Sequence, residues 1–295
     1  MFATLAGGYP WPAELPADAA LEAVVGDQVD AGLGLLADGR VHPATETLVA
    51  LVAAWQATRD AAAAPAPGLP VKIAVAGPWS AGGPEGALGA ARRLHGSLIA
   101  LGEAGCPVVE VHEPAPALPA DDAGRTAFVE AHATLLAGLP EGLHASLAIT
   151  GGDAVGLGAP ALFGAPYRSH LFDLLDGPDS WRLIAVAPGE RGIVVGVGDA
   201  TGRRRTRLED VVWAAGYAAS TGGRGMERIG VAPSGSLADL STDRARAVLA
   251  LLGEAADAVA GGREEVMARL DPRAIDARSA ALGQYRPMRR RIRRP

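Results

Sequence analysis

The sequence predicts an α/β protein, a single (β/α)8 TIM barrel, and three observations lead there. Eight short runs rich in Val, Ile, Leu and Ala recur along the chain, and nearly all alternate with longer stretches of helical periodicity. Each run closes on a turn built from Gly, Pro, Asp or Ser. No G-x-G-x-x-G opens a helix after the first run, which disfavours the competing open, doubly wound sheet.

In chain order, residues 3–6 form the first strand and stop at Gly7-Gly8-Tyr9-Pro10, where two glycines and a nearby pair of prolines enforce a loop. A helix follows with Leu21, Val24, Val25, Val29 and Leu33 on one face, then a strand at 35–37 ending in Asp38-Gly39-Arg40. Helix two is expected to start near Pro43, a favoured first-turn residue, and to reach about residue 61. Residues 61–70 are an Ala/Pro linker too short to separate two domains. Strand three covers 71–76, helix three about 84–104, strand four 107–114 and helix four about 126–138. Strand five covers 144–149, and a Gly/Ala/Pro-rich loop at 151–165, a candidate lid, leads to an expected helix five at 167–175. Strand six is expected at 181–186, strand seven at 193–197 with a helix at 206–219, and strand eight at 228–231. The last strong helix spans 242–260. The barrel is thus assigned to 1–265, and 266–295 to a C-terminal extension with an Arg-rich tail.

Strand four carries the clearest chemistry. Its valines fit a parallel strand covered on both faces, and Pro107 is tolerated as a first residue. Glu110 breaks the apolar run, so one face meets something polar. Alternation puts Val108, Glu110 and His112 on one side and Val109, Val111 and Glu113 on the other, which favours His112 as the residue facing the barrel axis.

The totals bound the partners. Nearly half of the 295 residues are apolar, and the formal net charge of −6 gives no sign of a nucleic-acid surface. Lys72 is the only lysine, and the single cysteine, Cys106, rules out an internal disulfide. The N-terminus lacks a basic region followed by an apolar run, and no segment reaches the ~20 apolar residues of a membrane span. A cytoplasmic protein without membrane or nucleic-acid partners is expected.

The strand ends, in order, resemble the catalytic domain of cobalamin-independent methionine synthase, a zinc-bearing barrel in the superfamily of uroporphyrinogen decarboxylase. The pieces are Gly7-Gly8-Tyr9-Pro10, Gln28 with Gly32-Leu33 and Asp38-Gly39, Gly77-Pro78, Gly105-Cys106 with Glu113-Pro114-Ala115, Gly198-Asp199 and Pro233-Ser234. The likeness covers about residues 3–260 and matches the short, core-only members, some of which take a methyl group from a corrinoid carrier. It implies methyl transfer with a methylated folate or corrinoid donor, and a carrier protein as a partner. The departures fall on the zinc ligands. The His-x-Cys pair of strand five corresponds to Ala148 and Thr150, the second cysteine to Gly235, and the strand-six glutamate falls near Ile184 or Ala185, where 181–187 holds no acid. His112 stands for the aspartate of an Asp-Glu-Pro-Ala motif, and Arg40 for an acid. Zinc needs about four N, O or S ligands, so no metal site is expected.

At the mouth the candidates for catalysis are His112, Glu113 and Asp199, with Tyr9, Trp11, Asp38, Arg40, Trp79, Ser80, Thr150, Asp153 and Ser234 for substrate. His112 either does acid–base work or caps a strand end. Arg40 either binds a carboxylate or phosphate or pairs with Asp38 or Glu113. Trp11 and Trp79 either form a flat wall for a ring or pack the loops. A replacement metal site from His42, His112, Glu113 and Asp199 lacks His-x-His or His-x3-His spacing. The function expected is methyl or one-carbon transfer involving a small anionic metabolite; a metal-free lyase or decarboxylase on the same barrel and a non-catalytic ligand-binding protein are the alternatives. The run of arginines from 286 to 294 reads as a solvated tail or a dock for an acidic partner.

Overall fold

A computed structural model describes residues 1–270. Eight parallel strands form one curled sheet in the order β1-β8-β7-β6-β5-β4-β3-β2, with helices on its outer side. The strands are β1 (Phe2–Ala3), β2 (Leu36–Ala37), β3 (Val71–Ala76), β4 (Val108–Pro114), β5 (His144–Thr150), β6 (Ser169–Asp173), β7 (Gly192–Gly198) and β8 (Ile229–Pro233). The two end strands meet through a bridge between Thr4 and Leu35 and a hydrogen bond from Gly34 N to Ala3 O, which completes the (β/α)8 arrangement. The Arg-rich tail lies outside the described residues. Among those described, no helix is long and apolar enough to cross a membrane.

The outer layer is α1 (Ala17–Asp30), α2 (Leu48–Ala63), α3 (Pro78–Glu103), α4 (Asp122–Leu136), α5 (Ala159–Gly164), α6 (Trp181–Val186), α7 (Leu208–Ser220), α8 (Thr242–Ala260) and α9 (Arg263–Arg269). α2 begins later than Pro43 suggests, because Thr47 accepts a hydrogen bond from Ala50 N and caps it. α4 starts early for the same reason, with Asp121 accepting from Gly124 N at 2.7 Å. α3 begins directly after β3 at Pro78 and breaks at Gly83, whose φ of +61° suits glycine; Pro84 then restarts the helix.

One stretch differs from the sequence expectation in kind. Residues 169–173, expected within a helix, are strand β6, and 181–186, expected as strand six, are helix α6. A six-residue apolar run such as Trp-Arg-Leu-Ile-Ala-Val does not reveal its period, and Ser-His-Leu-Phe-Asp contains no Val or Ile to mark a strand. The correction moves the end of strand six onto an acid, Asp173.

Two apolar layers result. Most of the core lies between sheet and helices, where Val109 and Val111 of β4 sit among the residues of α3 and α4. The barrel interior holds a smaller cluster of Ala6, Ala148, Leu171, Val194 and Ala232. Three of its five members are alanines, where barrels usually place branched side chains.

Candidate active site

A chain of buried charged groups runs through the barrel interior. Lys72 of β3 donates from Nζ to Glu110 Oε2 and to Leu5 O, both at 2.6 Å. The other carboxylate oxygen of Glu110 lies 2.7 Å from His112 Nε2. The ladder explains why the three meet. Glu110 and His112 are two apart on β4 and share a face, and their β3 neighbours are Ala74 and Ala76, which leave space for the long Lys72 side chain to cross. On the other side His112 is paired with Ala148.

Burial alone would raise the Glu110 carboxyl, but the Lys72 ammonium and the His112 hydrogen bond hold it down at about 2. Glu110 is therefore ionised, so His112 Nε2 carries a proton and donates it. His112 Nδ1 makes no hydrogen bond to the described residues, which leaves it open towards the mouth. An imidazole oriented by a carboxylate and free at its second nitrogen is built to accept a proton.

Glu113 faces the other way. Its oxygens accept from Trp79 N and Ser80 N, each at 2.8 Å, so it seals the first turn of α3. His132 Nε2 lies 3.1 Å from the same carboxylate, and His132 Nδ1 is 2.6 Å from the Tyr167 hydroxyl. This buried cluster packs helices α3 and α4. Trp79 belongs to it too: its ring is buried against Phe128 and its Nε1 donates to Ala117 O. Ser80 enters through its backbone amide, while its hydroxyl bonds Gly77 O. Tyr9 turns outward as well, donating from its hydroxyl to Asp27 of α1 at 2.9 Å.

Other expected residues do gather at the strand ends. Asp38 Oδ2 lies 2.6 Å from His42 Nε2, and Asp38 Oδ1 accepts from Arg40 N. The Arg40 guanidinium pairs with neither Asp38 nor Glu113; it lies over the Trp11 ring, 3.8 Å from the centroid. Arg40 is exposed, so the pair offers a cationic fork on an aromatic face. Thr150 borders Gly235 at the ends of β5 and β8. Asp153 accepts from Ser180 N and fixes a loop. Buried Ser234 lies 3.4 Å through its Oγ from Ala200 N.

Asp199 shapes the β7–α7 loop, accepting from Thr201 N, the Thr201 hydroxyl and Arg204 N. Burial opposes its charge, yet the Arg204 amide and the Thr201 bonds bring its carboxyl below its ordinary value. Asp173 has the opposite balance. It shares the face of Leu171, a barrel-interior residue, and burial pushes its carboxyl up despite bonds from the amides of Asp176, Leu175 and Gly151.

Sequence reasoning missed Lys72 and Asp173. A lone lysine inside an otherwise apolar strand was a readable signal for the first; the misplaced strand six hid the second. Ala148, Thr150 and Gly235, at the ends of strands five and eight, offer no sulfur or imidazole donor. Among the described residues no group of three or more His, Cys, Asp or Glu side chains is placed to hold a metal ion.

No known protein family matches the sequence, and no curated protein does. Solved structures do match in shape. A B12-independent methionine synthase from Shewanella sp. W3-18-1, in complex with selenomethionine, superposes with a TM-score of 0.71 at 15% identity, over 90% of this chain and 98% of that one. A methyltransferase from Methanosarcina mazei reaches a TM-score of 0.52 at 13% identity, over 86% of this chain and 94% of that one. The fold is shared with these barrels. At such identities the likeness extends to architecture, and the chemistry must be read from the residues.

Proposed function

We propose that this chain is an enzyme of methyl or one-carbon transfer acting on a small anionic metabolite, without the zinc site of the methionine synthases. The observation that carries it is the Lys72–Glu110–His112 chain, which ends in an imidazole nitrogen with no partner among the described residues. His112 takes the proton of the acceptor group at Nδ1, and the Glu110 carboxylate stabilises the imidazolium that forms. Arg40, backed by Trp11, receives a substrate carboxylate or phosphate at the rim. Asp199 and Asp38 hold the loops that carry this rim rather than touch the reacting atoms. The donor is a methylated folate or corrinoid, as the resemblance of the strand ends to the cobalamin-independent methionine synthase family implies.

The test is to offer methyltetrahydrofolate and methylcobalamin with a panel of small carboxylate-bearing thiols and amines, reading methylated products by mass spectrometry. Turnover is expected without added zinc. It should fall by about 100-fold or more in His112→Ala, within the range for removing a general base. Arg40→Ala should raise KM and spare kcat. Full activity in His112→Ala, or activity only with one zinc per chain, would overturn the proposal.

A further inference from the structure

The barrel carries a cavity at the end opposite the strand-end site. About 350 Å3 in volume, it opens among the N-terminal ends of the strands, with Phe2, Leu35, Val108 and Val194 in its wall. That size is at the lower end of the range for small-molecule pockets, roughly 300–1,000 Å3.

Its floor is polar, and all but one of its polar side chains are spoken for. Thr4 Oγ1 donates to Leu35 O at 2.9 Å, Ser169 Oγ lies 2.7 Å from His144 Nε2, and both Glu110 oxygens are held by Lys72 and His112. Ser146 is the exception. It sits between Glu110 and Ser169 in the ladder, is 4% exposed, and its hydroxyl has no hydrogen-bond partner among the described residues. A buried hydroxyl left unpaired costs about 1–3 kcal/mol, so this one is set up to meet something that enters the cavity.

We infer that this cavity binds a small neutral molecule with an apolar body and a single hydroxyl or amide group, which pairs with Ser146 Oγ. Neutrality follows from the floor. The Glu110 carboxylate disfavours an anion, while the Lys72 ammonium that balances it leaves no net negative charge to draw a cation. Burial keeps His144 uncharged, down at about 4, so it adds no attraction for an anion. The charged chain separates this cavity from the mouth, so its occupancy does not depend on the chemistry proposed there.

Benzyl alcohol, benzoate and benzylamine are suitable probes, each titrated into the full chain while the methyl signals of Val108 and Val194 are followed by NMR. Benzyl alcohol should produce saturable shifts at millimolar concentration or below, and the two charged probes should bind at least tenfold more weakly. Ser146→Ala should weaken benzyl alcohol about fivefold, and Ser146→Leu should abolish its binding. Val108→Phe, which narrows the opening, should do the same and serves if Ser146→Leu does not fold. Absence of saturable shifts would mean that only water meets the hydroxyl and would overturn the inference. So would shifts that persist in both filled variants.

Discussion

At the residue scale, the buried titratable groups predict how the protein meets acid. His170 on β6 is fully buried between Phe163 and Phe172, with neither ring nitrogen in a well-formed hydrogen bond. Burial lowers it to about 3, against an unfolded value of about 6.5. The unfolded chain therefore binds the proton first, and stability falls as pH drops from about 6.5 towards 3, by up to about 1.4 kcal/mol per pH unit. Glu110, held at about 2, adds a second loss that starts only below the unfolded carboxylate value of about 4.3. His170→Leu, close in volume and matched to its aromatic neighbours, should remove the His170 share of the first loss, leave the smaller share of His144, which burial holds at about 4, and keep the second. Urea midpoints measured at pH 7, 5.5 and 4 would show a flatter profile for the variant; an unchanged profile would mean that His170 is not the group that takes up the proton.

At the scale of elements, the junction of β3 and α3 shows what alternation along a strand can and cannot reveal. The period of two placed His112 towards the axis and Glu113 away from it. It could not reveal that Glu113 binds the first amides of α3, since that contact depends on a crossover of more than thirty residues returning beside the strand. Tyr9 and Trp79 were misjudged for a related reason: both follow strand ends, but the backbone turns each ring outward between helices. β3, β4 and β7 were legible because Val and Ile crowd them, whereas β6 has neither. The junction is also tight, because a Cβ at Gly77 would overlap the Glu113 carboxylate. Gly77→Ala should therefore destabilise the fold by about 2–4 kcal/mol, and Glu113→Gln by about 1–3 kcal/mol, since an amide cannot accept from both α3 amides. Urea denaturation monitored by circular dichroism measures both. A Glu113→Gln protein of wild-type stability with lost turnover would return Glu113 to catalysis.

At the scale of the molecule, the weakest seam is where the sheet closes. β1 and β2 are two residues each, and their direct link is the Thr4–Leu35 bridge with the bond from Gly34 N to Ala3 O. Lys72 reinforces that seam from inside. It reaches from β3 past β2 to Leu5 O, just beyond β1, and also holds Glu110 on β4. One side chain thus ties three parts of the barrel wall, and removing it would leave the buried Glu110 charge without its cation. Because Lys72 is the only lysine and is 1% exposed, its amine reports when the barrel opens. In native buffer, an amine-acylating reagent should leave the peptide carrying Lys72 unmodified. With added urea, labelling should rise in step with loss of the helical circular dichroism signal, because the amine is reached only through global unfolding. Labelling that precedes loss of helix would locate a local opening at the β1–β2 seam, beside the cavity at the base of the barrel. In that case Thr4→Val, which removes the hydroxyl bond to Leu35 O, should accelerate labelling further without shifting the unfolding midpoint to the same extent.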